Sequence, residues 1–288
     1  MERDVELTAE SRQILQHLAL VHGKEFASRK VLSPIERTLR LGPDTPLREE
    51  LLGAYPALRV ILAQYAFGRR GREREELVPC ALRALDSINL GEVIKERTGV
   101  ALWEAFVEVA EGRSVKPNEP QNRGVFQGLL ELAQEIYRLD GEGSIVGWVV
   151  NGVVRTGQLE PQFLRLVDIR GLGPKNTSTF LRDVSYIYEL NDLTRPSHRI
   201  HALTVDKALR GLAPHIFPET GLHEAADWIL AGKAQKYARR AGVLPALLTM
   251  GVTNFALQHH KIADQYDKLA EALKREALDP KPVEAHLA

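Results

Sequence analysis

The chain has 288 residues, 44% of them apolar, which is enough to bury a sizeable core in one large domain or two modest ones. Its 38 basic and 38 acidic side chains cancel, which excludes a global positive field and leaves only a local patch for any contact with nucleic acid. The single cysteine, Cys80, excludes an internal disulfide, a cysteine zinc finger and a four-cysteine iron–sulfur cluster.

Taken in chain order, Met1-Glu2-Arg3-Asp4-Val5-Glu6 carries no apolar signal core, and no later segment approaches the roughly 20 apolar residues a bilayer span requires. A cytoplasmic protein without a membrane partner is expected. Apolar residues then recur three and four positions apart while strand-like alternation is scarce, so the predicted fold class is all-α. Helices are predicted around 8–21, 56–67, 76–86, 99–111, 122–139, 144–155 and 161–169. Ser33-Pro34-Ile35-Glu36 has the form of a capping box and Thr45-Pro46 of another helix start. Gln64 falls near the end of the 56–67 helix. Arg69-Arg70-Gly71-Arg72 follows it among Glu73, Glu75 and Glu76, so it reads equally as a backbone grip or a solvated loop. Residues 113–121, with two prolines, form a loop, and 192–197 form a second one. The valine-rich stretch 144–154 is helical in pattern but β-branched in content. Trp103, Trp148 and Trp228 read as core residues. The last helix, near 259–277, sets Ile262, Tyr266, Leu269 and Leu273 on one face.

The stretch richest in chemistry runs from Phe163 to Val184. A short apolar segment ending at Arg170 is followed by Gly171-Leu172-Gly173-Pro174-Lys175 and then by a second helical pattern. Two glycines one residue apart let the backbone turn sharply and approach a ligand, and Pro174 suits the first turn of the helix that follows. Exposed amides at that helix start suit a phosphate. On the helix, Thr177, Phe180, Leu181, Val184, Ile187 and Tyr188 share a face that should be buried. Lys175 falls opposite, with Ser178, Thr179, Arg182 and Tyr186.

A Gly-x-Gly-x-Lys hairpin followed by a Val-Asp pair opening the next helix, here Val205-Asp206, resembles the helix-hairpin-helix DNA glycosylase superfamily. Within it, the run from Lys175 to Val184 is most similar to the small archaeal and bacterial 8-oxoguanine glycosylases. The spacing of 31 positions between Lys175 and Asp206 exceeds the family's usual one and places an insertion at 189–203. That insertion carries Arg195, His198, Arg199 and His201, and it reads as a DNA contact or as a longer surface loop.

The resemblance implies two helical lobes, a helical barrel over 57–190 and a second domain built from 1–56 and 191–288, with the hairpin lining the cleft between them. It implies a monomer acting on damaged double-stranded DNA, with Lys175 as the nucleophile at the deoxyribose and Asp206 as its carboxylate partner. Arg170, Gly171 and Gly173 are expected to contact DNA; Gln64 reads as a further DNA contact or as an exposed polar residue of its helix, and Phe255 as a core residue or as an aromatic that stacks on the base in a pocket. No cofactor is expected. No metal is expected either, because His198, His201, His259 and His260 form no recognised zinc pattern with cysteines or carboxylates. Two other readings stay open: a non-catalytic hairpin that binds DNA, and a glycosylase for oxidised pyrimidines or mismatched thymine.

Overall fold

The computed structural model describes residues 6–67, 72–96, 99–219 and 221–279. The fold is all-α, and no strand occurs among the described residues. Contacts divide the chain into a terminal unit, Met1–Leu32 with Leu203–Ala288, and a central unit, Ser33–Ala202.

The chain enters the terminal unit through helix α1 (Ala9–His17), where Thr8 Oγ1 accepts a hydrogen bond from the Ser11 amide at 3.1 Å. Beyond α1 the helix widens into π-helical turns at Leu18–Gly23 and Ala27–Leu32. Two glycines let a neighbouring backbone come close at the first of these. A Cβ on Gly23 would sit 2.2 Å from the Leu247 carbonyl oxygen, and one on Gly251 would sit 1.9 Å from that of Leu18. The widened turn and the small residues together therefore form one close packing contact. Ser33 does not open a helix after a loop, as its capping-box pattern predicts, because helical turns already lead into it from Ala27.

In the central unit, α2 (Ser33–Leu39) packs on α3 (Ala54–Gln64), and α4 (Arg72–Ser87), α5 (Ala101–Gly112) and α6 (Glu119–Asp140) follow. Their core centres on Phe126, whose ring lies 4.4 Å from Phe106, 5.9 Å from Trp103 and 6.0 Å from Phe67 between centroids. The valine-rich stretch is helix α7 (Ile145–Thr156) despite its β-branched content. Ser144 caps its first turn through the Gly147 amide, Gly157 ends it at φ +69°, and Ile145, Val146, Val149 and Val153 are buried. Burial of one apolar face outweighs the small propensity deficit of each valine. Next come α8 (Glu160–Val167), α9 (Gly173–Ile187) and a 3-10 turn, Pro196–Ala202.

The chain returns to the terminal unit with α10 (Lys207–Ile216), α11 (Asp227–Ala241), α12 (Pro245–Gln258) and α13 (Tyr266–Leu278). Gly242, at φ +74°, closes α11. The α11–α12 pair is bent by 106°, and no single described helix is long and apolar enough to cross a membrane.

The unit boundaries lie at 32/33 and 202/203 and not at 57 and 190. Residues 33–56 belong with the central unit because α2 is tied to α3, with Arg59 Nε donating to the Thr38 carbonyl at 2.8 Å. Residues 191–202 stay there because the Arg195 amide donates to the Gly157 carbonyl at 2.8 Å and the 3-10 turn packs on α9. Of the three tryptophans, Trp103 is buried and Trp148 half-buried, but Trp228 is 69% exposed in the first turn of α11 and is no core residue.

Candidate functional site

Helices α8 and α9 are joined by the turn 168–172, and the glycines do distinct work there. Gly171 has φ +100°, and a Cβ on it would meet Val125 Cγ2 at 2.3 Å; Gly173 has φ +54° with nothing within 4 Å of a Cβ. Gly171 is thus constrained by space and by backbone, Gly173 by backbone alone. Two more glycines, unremarked in the sequence, seat the turn from below. On α6, a Cβ on Gly124 would lie 2.8 Å from Arg170 Cβ, and one on Gly128 would lie 2.8 Å from Ile169 Cγ2. Their spacing of four, a flat stripe on one face of an amphipathic helix, is the signal that could have revealed them.

A graded effect on stability follows. Gly171→Ala should destabilise the protein by roughly 2–4 kcal/mol, from left-handed strain plus overpacking of Val125. Gly173→Ala should cost only about 1–2 kcal/mol, from strain alone. Urea unfolding monitored by circular dichroism measures both, and equal losses would contradict this division.

Lys175 is exposed in the first turn of α9, and Arg170 is exposed on the turn itself. Among the described residues neither has an ion-pair partner. Leu172 offers no side-chain cap to α9, so the amides of its first turn are open to an acceptor from outside the chain. Beside the turn lies a pocket of about 310 Å³, with Arg170, Gly171, Arg74, Phe67, Leu77 and Val125 in its wall. Arg74 already donates to the Ala63 and Gln64 carbonyls at 3.0 and 3.1 Å, satisfying the end of α3. Gln64 itself is half-buried, with Nε2 donating to Thr38 Oγ1 at 3.2 Å, so in this structure it holds α2 and does not project outward. Arg69, Arg70 and Gly71, and the side chain of Arg72, lie outside the described residues.

The predicted buried face of α9 is buried at Thr177, Phe180, Leu181, Val184 and Ile187, with Tyr188 half-buried. Arg182 departs from the helical-wheel expectation. It is 4% exposed and donates from Nε to Asp183 Oδ1 at 2.8 Å, while Asp183 Oδ2 accepts from the Tyr65 hydroxyl at 2.9 Å. Burial pushes the Asp183 carboxyl above its ordinary range against the pull of Arg182. Burial, reinforced by Asp183, raises the Tyr65 hydroxyl well above its own range and keeps it a donor. This buried pair fixes α9 to the end of α3. It anchors the helix that carries Lys175, two turns along from the lysine, and Arg182 is not an exposed arginine on the Lys175 face.

In the terminal unit, Asp206 caps α10. Its Oδ1 accepts from the Leu209 amide at 2.8 Å and its Oδ2 from the Thr253 hydroxyl at 2.6 Å. Phe255 has no exposed surface. Its ring sits edge-on to His22 at 5.1 Å and 4.2 Å from His259, so it is a core residue and not the stacking face the resemblance implies. Compared with known proteins, the chain matches no family model, no curated protein and no solved structure. The chemistry of Lys175 and Asp206 has to be judged from their own surroundings.

Proposed function

We propose that the chain is a helix-hairpin-helix DNA glycosylase with lyase activity, removing an oxidised purine through Lys175. The observation that carries this reading is an exposed, unpaired amine two positions past a left-handed glycine, at the uncapped start of a helix anchored by a buried ion pair. Uncapped amides and Arg170 supply phosphate contacts without sequence information, as a lesion-scanning enzyme needs.

In the proposed reaction Lys175 Nζ bonds to C1′ of an extruded nucleotide while the glycosidic bond breaks, and the base leaves with the electron pair and takes up a proton. Ring opening gives an imine between Nζ and C1′. Loss of a proton from C2′ then expels the 3′ phosphate and cuts the strand. Asp206 is assigned the negative charge that stabilises the cationic sugar.

A second reading, a hairpin that only binds DNA, is favoured by one observation: both carboxylate oxygens of Asp206 are already held by Leu209 and Thr253, as in a purely structural cap. A panel of duplexes separates the two readings. The glycosylase reading expects strand cleavage at a single 8-oxoguanine and none in undamaged DNA. Cleavage only at oxidised pyrimidines or mismatched thymine would overturn the choice of lesion. Binding with no cleavage of any duplex would establish the second reading.

A further inference from the structure

A cluster of metal-ligating side chains stands in the central unit apart from the hairpin chemistry. The 3-10 turn Pro196–Ala202 repeats every three residues, so His198 and His201 project from one side of it, with ring centroids 6.3 Å apart. Glu160, the first residue of α8, joins them from 38 positions earlier, and one ligand atom from each of the three lies within 4.8 Å of the others. The turn is held in place: Arg199 Nε donates to the Thr194 carbonyl at 2.8 Å, and the Phe163 ring lies 4.8 Å from that of His201.

The geometry points to a binding site for one divalent zinc-type ion, held by Glu160, His198 and His201, that clamps the 3-10 turn to the start of α8. The deciding feature is that these groups converge without bonding one another. His198 Nδ1 is buried with no hydrogen-bond partner, and Glu160 Oε2 stands 3.9 Å from it. That separation is too long for a hydrogen bond and exceeds by about 0.6 Å the roughly 3.3 Å between two ligands of a tetrahedral zinc with bonds of about 2.0–2.1 Å, a gap that a small movement of the exposed Glu160 side chain closes on binding. Two imidazoles and a carboxylate suit zinc over magnesium or calcium, and a water completes a tetrahedron. The other such cluster, His17, His22 and Glu276, is arranged differently. Glu276 Oε1 already bonds Nε2 of both histidines, at 3.1 and 2.8 Å, so the converging atoms of that cluster are paired with one another, although His22 Nδ1 is buried without a partner.

Zinc chloride titrated into chelator-treated full-length protein, followed by calorimetry, tests the site. One ion per chain with micromolar or tighter affinity is expected, and saturating zinc should raise the melting temperature by about 5 °C or more. His198→Gln, His201→Gln and Glu160→Gln should each weaken binding at least about tenfold, whereas His22→Gln should leave it unchanged. Glu160 is exposed at a helix start, so its variant keeps the test usable if a histidine variant folds poorly. Absorption of the cobalt(II) form in the visible range reports the ligand set directly. No ion bound with zinc at about 100 µM, or binding unchanged in the His198 and His201 variants, would overturn the site.

Discussion

Replacing Lys175 with glutamine should abolish the borohydride-dependent cross-link to lesion DNA while leaving the protein folded and able to bind. The side chain is exposed and unpaired among the described residues, and the Thr179 hydroxyl donates to the Lys175 carbonyl at 2.9 Å, a bond that glutamine keeps. Stability should therefore change by less than about 0.5 kcal/mol. What disappears is the amine proposed to form the imine, so cross-linking and strand cutting should both fall by at least about 10³-fold. A lysine that merely touches a phosphate behaves differently. Its loss would weaken binding to every duplex and lower the salt slope by about one, and cleavage would fall only in proportion to occupancy. The ratio of cleavage to binding, measured across a salt series, distinguishes these outcomes.

Asp206→Asn should remove activity by about 10²–10³-fold without loosening the terminal unit. Asparagine caps helices as well as aspartate, so Oδ1 can still accept from the Leu209 amide. On the other side, Thr253 Oγ1 also contacts the Thr249 carbonyl at 3.0 Å. Its hydroxyl can donate there while accepting from the new amide. The hydrogen bonds survive and only the charge is lost. Asp206→Ala is the control, losing the cap and about 1 kcal/mol of stability. If asparagine restored full cleavage while alanine lost it, Asp206 would be a cap and nothing more, and the carboxylate would have to be sought elsewhere.

Local pattern carried the fold class and the hairpin. Periodicity places α6 and α7 within a few residues, because a wide apolar face and a serine cap or glycine stop are written in contiguous sequence. The turn before Lys175 is equally local, since two glycines and a proline determine it. What escaped depends on partners distant in the chain. Arg182 sits on the polar side of a helical wheel yet is buried, because Asp183 beside it is completed by Tyr65, 118 positions away. The π-helical turn at Leu18–Gly23 packs against Gly251, a contact that no window around residue 20 contains. The histidines of the 3-10 turn lack a carboxylate in their own segment, and Glu160 reaches them only through the fold. Phe255, readable as core or as a stacking aromatic, is fully enclosed, whereas Trp228 reads as core and is exposed, because the kind of residue does not fix which face of a helix it occupies.

The most direct test of the central claim is to map the cross-link itself. Protein trapped with borohydride on a duplex bearing one 8-oxoguanine would be digested and the peptides sequenced by mass spectrometry. The proposed chemistry places the reduced deoxyribose on Nζ of Lys175. An adduct on any other amine, or no adduct with the DNA demonstrably bound, would contradict it.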